Sequence, residues 1–289
     1  MTGINSAARA KQQAKHATND VKPWVKIAAR TGYMAKGLVY ILIGILALMA
    51  AVGVGGKTTN STGALSSIAN EPYGEILLWI IGIGFVGLIM WRIIQVAMDP
   101  DHEGIDTKSI FRRVFFAFNG IVYGILAYKA FSLALNAGES SGDSNSKQTL
   151  SAKLLSEPFG QWIIGMIGLI MIGYAIYEMY KAYQEKYLKK FKQNEMDEKE
   201  YEFSRKSGKI GFFARGIVLL IMGYFIMVTA VTANSENTKG LDGALSKIAQ
   251  QPYGQWMLGV VALGLTLYGV FQILKGKNRH MRLTSTYWL

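Results

Sequence analysis

Six long stretches without a charged residue constrain this chain more than any other feature. They cover residues 37–56, 76–91, 114–128, 159–177, 216–235 and 248–274. A helix that crosses the ~30 Å hydrocarbon core of a bilayer needs about 20 mostly apolar residues, and all six stretches reach this if Arg92 and Lys129 lie in or near their helices. Backbone groups in lipid must bond within their own helix, and the alternation of a membrane barrel is absent from the sequence. The sequence therefore predicts six transmembrane helices.

A proline–aromatic–glycine tripeptide occurs three times, each time just before an apolar stretch: Pro72-Tyr73-Gly74, Pro158-Phe159-Gly160 and Pro252-Tyr253-Gly254. A second pattern opens the other three stretches at Gly37, Gly120 and Gly216. Recurrence at a fixed period indicates one structural unit written three times, here with two helices per unit. Two crossings per unit give all units one orientation. We predict an all-α fold of three pseudo-symmetric pairs about an axis normal to the membrane.

The repeat and the charge distribution divide the chain into six segments. We predict a tail at 1–28, helix pairs at 29–98, 112–180 and 208–275, a helical linker at 181–207 and a second tail at 276–289. Most lysines and arginines lie in the tails, the linker and the loop after the second helix. Basic flanks mark the cytoplasmic face, which predicts a bacterial inner-membrane protein with both termini in the cytoplasm.

The basic surface is open to more than one interpretation. It either only determines topology or also attracts anionic lipid at the cytoplasmic face. Nucleic acid is not an expected partner, because binding to it needs a folded domain with interleaved basic and aromatic residues.

Small residues and two short sequence segments, which we call phrases, indicate how the helices of each unit are expected to pack. Gly37 and Gly44 lie seven residues apart on one helix face, as do Gly216 and Gly223, and such spacing lets helices approach closely in lipid. The phrases 63–69 and 243–249 have the apolar spacing of short interfacial helices. The middle unit lacks this phrase and carries a low-complexity stretch at 138–146, which predicts a mobile loop.

Seven polar residues within or beside the apolar stretches form a candidate pathway. Three precede the landmark glycines and three follow the repeat prolines by twenty residues, which places them in two layers of one ring: Lys36, Asn119 and Arg215, then Arg92, Glu178 and Gln272. In this ring Glu178 pairs with Arg215 or Arg92. The six residues either set helix depth as paired or snorkelling groups, or form the inner mouth of an anion-attracting pathway.

The seventh residue is Lys129, the deepest charge in its helix. It either extends to the outer interface or faces a cavity.

An aromatic stripe follows the fourth apolar stretch at helical spacing: Tyr180, Tyr183, Tyr187 and Phe191. The spacing predicts that the fourth helix continues ~15 Å or more beyond the membrane, at 1.5 Å per residue. The stripe either contacts lipid, packs on the underside of the protein itself, or docks a membrane or cytoplasmic protein partner.

Residues that could support catalysis or bind a cofactor are scarce. The sequence has no cysteine, and its histidines, His16, His102 and His280, lie in tails or loops. No phosphate-binding loop, zinc-binding helix or Ser-His-Asp arrangement is recognisable. We therefore expect no cofactor, no metal site and no enzymatic activity.

The chain resembles a known family over nearly all of residues 24–275. The resemblance rests on Ala29-Arg30-Thr31-Gly32-Tyr33, Lys36-Gly37-Leu38-Val39-Tyr40, Gly63-Ala64-Leu65 and Pro72-Tyr73-Gly74, which are similar to the bacterial membrane family called domain of unknown function 1206. This resemblance implies three tandem two-helix repeats and a bacterial membrane location. It implies no activity and no site residue.

Two functions are compatible with these observations. The first is a non-enzymatic structural or accessory membrane component, which the scarcity of buried charges, the glycine-rich packing and the aromatic extension favour. The second is a small channel or transporter for an ion or anionic solute along the pseudo-symmetry axis, which the repeat and the polar ring favour. Symmetry alone does not choose between them.

Overall fold

The computed structural model describes residues 23–97, 107–135, 146–157, 159–191 and 196–278. Most of the two predicted tails, most of the stretch 138–146, and Pro158 lie outside these ranges. The described residues form nine α-helices and no β-sheet: α1 (Pro23–Ala51), α2 (Ser61–Ala69), α3 (Gly74–Ala97), α4 (Thr107–Leu135), α5 (Ser146–Leu155), α6 (Gly160–Tyr183), α7 (Glu198–Thr232), α8 (Leu241–Ala249) and α9 (Gly254–Asn278).

The prediction of six membrane-spanning helices is confirmed. α1, α3, α4, α6, α7 and α9 are each long and apolar enough to cross a membrane. They fall into three units, with α1 and α3 in unit 1, α4 and α6 in unit 2, and α7 and α9 in unit 3. We call the end of the bundle where α1 begins and α9 ends the basic end, because Lys26, Arg30, Lys275 and Lys277 lie there.

Each unit places a short helix between its two spanning helices. α2 and α8 occupy the two predicted phrases, and they bury the same three positions: Ala64, Leu65 and Ile68 in α2, and Ala244, Leu245 and Ile248 in α8. Unit 2 also has a short helix, α5, although its sequence lacks the phrase. The side of each unit opposite the basic end is therefore capped by a helix that packs on the spanning helices.

The repeated tripeptide forms a tight turn into the second spanning helix. The aromatic residue takes the left-handed backbone conformation in all three units, with φ of 64° at Tyr73, 67° at Phe159 and 59° at Tyr253. α3 and α9 begin at the following glycine, so Pro72 and Pro252 precede these helices. A Cβ at Gly74 or Gly254 would overlap a carbonyl oxygen at the end of the preceding short helix.

The units are joined in a cycle. The second spanning helix of each unit packs along the first spanning helix of the next: α3 against α4, α6 against α7, and α9 against α1. The closest of these contacts is between α1 and α9, where a Cβ at Gly37 would lie 2.6 Å from the carbonyl oxygen of Gly269, and a Cβ at Gly269 would lie 2.6 Å from that of Gly37. The predicted glycine faces thus pack between units.

Small residues also close the contact between the two spanning helices within units 1 and 3. In unit 1, a Cβ at Gly84 of α3 would lie 2.5 Å from the Cβ of Ala35 in α1. At the corresponding positions of unit 3, a Cβ at Gly264 of α9 would overlap the Cβ of Ala214 in α7. Such residues let the two backbones approach closely in lipid, where apolar side chains gain nothing from leaving water.

Unit 2 has large residues at these same positions, and its two spanning helices do not pack along their lengths. Phe118 stands where units 1 and 3 have Ala35 and Ala214, and it is 61% exposed. Ile170 stands where they have Gly84 and Gly264, and it is 48% exposed. We call the surface between α4 and α6 the open seam; Phe115, Phe118, Ile170 and Gly173 line it.

The turn glycines give a direct test of this fold. Gly254→Ala places a methyl group against the backbone of α8, and we expect it to destabilise the protein by about 1–3 kcal/mol, as overpacking does. Gly259→Ala is the matched control in the same helix, because its nearest neighbour would be the Cβ of Ala51 at 3.9 Å. Thermal unfolding of the full chain in detergent measures both. Equal melting temperatures for the two variants would contradict the turn geometry.

Candidate functional site

Four charged residues from four helices meet near the basic end of the bundle, inside the spanning segments. They are Lys36 in α1, Arg92 in α3, Glu178 in α6 and Arg215 in α7, and we call them the polar cluster. They meet because Lys36 and Arg215 share one position of the repeat, whereas Arg92 and Glu178 share another. Lys36 interacts electrostatically with the other three.

A buried ion pair joins units 2 and 3. The Nη1 atom of Arg215 donates to Oε1 of Glu178 at 2.5 Å, and the side chain of Glu178 is only 3% exposed. The hydroxyl of Tyr174, one turn earlier in α6, donates to the same oxygen at 2.8 Å. Of the two partners that the sequence left open for Glu178, the structure shows Arg215.

Lys36 lies among three tyrosine rings. Its Nζ atom is 5.8 Å from the ring centroid of Tyr40, 5.7 Å from that of Tyr123 and 5.5 Å from that of Tyr268. The rings come from all three units, and Lys36 is 9% exposed. Each ring offers a favourable cation–π contact, but no carboxylate of the described residues lies within ion-pair distance of Lys36. The buried ammonium group is thus in contact with rings and forms no direct ion pair.

Arg92 occupies the side of the polar cluster next to unit 2. Its guanidinium carbon lies 5.0 Å from the ring centroid of Phe116 in α4, and its Nη1 atom donates to Oε1 of Gln95 at 2.7 Å. The buried Nε atom of Arg92 has no hydrogen-bond partner among the described residues.

The other three residues of the candidate pathway, two from the predicted ring and Lys129, have different positions. Gln272 of α9 is buried, and its Oε1 atom has no partner among the described residues. Asn119 donates to the carbonyl oxygen of Phe115 in its own helix at 2.8 Å. Lys129 lies ~15 Å along α4 from Asn119 at 1.5 Å per residue, so the structure does not bring it to the polar cluster.

The polar cluster carries an excess of positive charge. Three cations face one carboxylate, and the second oxygen of that carboxylate, Oε2 of Glu178, is buried without a partner among the described residues. Taking an unpaired charge out of water costs several kcal/mol even after the protein relaxes. This arrangement can therefore accept an anionic group at the cations.

The prediction that the fourth helix continues through Tyr187 and Phe191 was wrong, whereas the alternative that part of the stripe packs on the underside of the protein agrees with the structure. α6 ends at Tyr183, and Glu185 takes the left-handed conformation with φ of 53°, so the chain turns back instead of continuing as a helix. Tyr183 is 72% exposed, whereas Tyr187 and Phe191 are each 4% exposed. We call residues 184–191 the strap. A docking role for Tyr180 and Tyr183 remains a prediction.

The strap packs under the basic end of the bundle. Tyr187 and Phe191 contact Phe271 of α9 with ring centroids 5.3 Å and 5.5 Å apart, and Phe212 of α7 lies beside them. Glu185 pairs with Nε of Arg205 at 2.8 Å, and the Tyr187 hydroxyl donates to the carbonyl oxygen of Arg205 at 2.6 Å. Burial, and then the charge of Glu185, raise the pKa of Tyr187, which keeps that hydroxyl protonated.

Sequence reasoning missed the tyrosines around the charges. Tyr40 and Tyr123 end the repeated pattern that opens the first helix of units 1 and 2, and Tyr174 and Tyr268 both follow their repeat proline by sixteen residues. The signal was therefore present in the repeat. It was missed because only charged and amide side chains were aligned between units.

Comparisons with known proteins agree with the three-unit architecture. The family described as Domain of Unknown Function (DUF1206) matches residues 31–99, 114–185 and 210–279, more than half of the chain. This chain belongs to that family. "Uncharacterized protein YxxB" of Bacillus subtilis (strain 168) is 38% identical over 262 residues, which cover 91% of this chain and 94% of that protein. No solved structure matches the chain. The DUF1206 description carries no activity, so the site must be interpreted from its geometry.

The buried ion pair of this DUF1206 protein can be tested through stability. Glu178→Gln leaves Arg215 as an uncompensated charge inside the bundle, and we expect a loss of about 3–5 kcal/mol. The double variant Glu178→Gln, Arg215→Met removes both charges and should recover most of that loss. Thermal unfolding in detergent measures each. Lys277→Met, which breaks an exposed pair with Glu200, is the control and should cost less than about 1 kcal/mol. A Glu178→Gln variant as stable as this control would contradict the assignment.

Proposed function

We propose that this protein binds an anionic group at the polar cluster, as the binding step in the movement of an anionic solute through the membrane. The observation that carries the proposal is the excess of buried positive charge, three cations against one carboxylate, where the three units meet. Ionisable residues inside spanning segments are costly, and they commonly mark a substrate or ion pathway.

The surroundings of Lys36 favour an anion-binding role of the polar cluster over a purely structural role. A bundle that needed only stability would gain from an apolar residue at this position, because a buried charge without a counter-ion costs more than apolar packing. Three tyrosine rings hold the ammonium group in place without neutralising it. A cation held in this way retains its attraction for an arriving anion.

The presence of the strap favours a pathway with controlled passage rather than a permanently open pore. Tyr187, Leu188 and Phe191 are buried in one cluster of side chains at the basic end together with Tyr268, which also contacts Lys36. We propose that the strap lies across the route by which an ion would leave the polar cluster toward this end. Movement of the strap would then have to accompany transport.

A structural or accessory role is the second candidate, and one observation favours it. The open seam exposes large apolar side chains where units 1 and 3 are closed by small ones, and a helix of a membrane partner would fit such a surface. Tyr183, exposed beside the strap, would extend that contact beyond the membrane.

We also propose a membrane location, a set of lipid partners and a non-enzymatic role for the protein. We place the protein in the bacterial inner membrane with its basic end and both termini in the cytoplasm, because basic flanks face that side. Anionic lipids at that face are the expected bilayer partners of the lysines and arginines at the basic end.

We propose a non-enzymatic role. Within the described ranges no three histidine, cysteine or acidic residues group as metal ligands do.

Lys36→Met tests anion binding directly. An anion that binds only the folded state increases the free energy of unfolding, by about 2.7 kcal/mol at a hundredfold excess over its Kd. The melting temperature rises as a result. We expect phosphate or sulfate to stabilise the purified wild-type chain and to have no effect on Lys36→Met. Without anion, Lys36→Met should be as stable as wild type or more stable, because it removes an unneutralised buried charge.

The control is Lys206→Met, which removes an exposed charge from α7 near the same end. Its response to anions should match that of wild type. Loss of the response in both variants, or an absence of any anion effect in wild type, would contradict anion binding at the polar cluster. A Lys36→Met variant that is destabilised and still responds to anions would show that Lys36 is structural.

A further inference from the structure

The open seam and the polar cluster are neighbouring features of the same unit. Phe115 and Tyr174 contact each other across the seam with ring centroids 4.8 Å apart, and Tyr174 bonds Glu178 on its other side. The guanidinium group of Arg92 lies over the ring of Phe116, the next residue in α4. One layer of rings thus separates the apolar seam from the buried charges.

The ring contact explains why the seam is open. Phe115 and Tyr174 correspond to Gly32 and Leu88 in unit 1, and to Gly211 and Tyr268 in unit 3. In those units a Cβ on the glycine would lie within 2.7 Å of the partner helix backbone, so the two helices touch there. A phenylalanine at the same position holds α4 and α6 apart by the thickness of a ring.

The seam is shaped for an apolar chain on the side of α6 that faces α4. Gly173 corresponds to Gly87, which lies directly against α1 in unit 1. A Cβ at Gly173 would instead meet nothing within 4 Å. Together with the exposed Phe118 and Ile170, it forms an apolar surface that runs beside the polar cluster and opens toward lipid.

The chemistry of these two neighbouring surfaces selects one occupant. A free inorganic anion would satisfy Lys36, Arg92 and Arg215, but it would leave the seam unfilled. An apolar helix would fill the seam, but it would leave the excess positive charge unneutralised. An anionic lipid supplies both an acyl chain for the seam and a phosphate group for the cations.

We propose that the open seam of unit 2 is a lateral binding site for an anionic phospholipid, with the acyl chain along Phe118, Ile170 and Gly173 and the phosphate directed toward Arg92 and Arg215. The inference rests on the proposed anion binding and names its ligand class. Phe115 and Tyr174 would separate to admit the headgroup. Lipid would then enter from the bilayer rather than along the axis.

Gly173→Leu tests the site by filling the seam without a clash. Native mass spectrometry of the full chain, titrated with phosphatidylglycerol or phosphatidylcholine, measures lipid binding. We expect wild type to prefer phosphatidylglycerol, and Gly173→Leu to bind it about tenfold more weakly, since the loss of two methylene contacts has that effect. Gly124→Leu is the matched control. A Cβ at Gly124 would also meet nothing within 4 Å. The corresponding residue of unit 1, Ile41, packs on the second helix of the preceding unit, so this position lies on a helix face other than the one that lines the seam.

The outcomes separate the two proposals. Equal lipid binding by Gly173→Leu and Gly124→Leu would overturn the seam site, and so would an absence of preference for phosphatidylglycerol. If phosphate still stabilises the chain through Lys36 in either case, anion binding stands and only the lipid assignment fails. A protein that co-purifies through the seam and is lost in Gly173→Leu, without lipid, would also overturn the proposal, in favour of the accessory role.

Discussion

Close approach of helix backbones at small residues is the constraint on which this structure depends. Apolar side chains gain no hydrophobic stabilisation from each other in lipid, so packing has to come from backbones that touch. Gly37 against Gly269 makes this contact between units 3 and 1, and Ala35 against Gly84 makes it within unit 1. The cyclic order of the six helices follows from repeating these contacts. Where the small residues are missing, in unit 2, the contact is also missing.

The same unit supplies both asymmetries of the molecule. Unit 2 provides the only carboxylate at a ring position, Glu178, where units 1 and 3 have Arg92 and Gln272. It also replaces the close-packing residues with Phe115, Phe118 and Ile170. Our two proposals both concern the surroundings of these changes, where Glu178 and the seam of unit 2 meet Lys36 of unit 1 and Arg215 of unit 3.

Much of this architecture could be predicted from sequence, because it depends on local patterns. Apolar length gave the six spanning helices, and the phrases at 63–69 and 243–249 gave two of the short helices. The strap could not be predicted. Spacing alone continues the helix through Tyr187, and only the packing of that ring on Phe212 and Phe271 shows that the chain turns back. The open seam could have been found by comparing packing positions between units, since Phe118 already stands out against Ala35 and Ala214.

The central claim is that unit 2 is open toward the bilayer beside a cluster in which three cations face one carboxylate. Cryo-electron microscopy of the full chain in nanodiscs that contain phosphatidylglycerol tests this most directly. We expect α4 and α6 to stay apart, with elongated density between Phe118 and Ile170 that ends in a phosphate near Arg92 and Arg215. Spanning helices of unit 2 packed as closely as those of units 1 and 3, with no density between them, would contradict it.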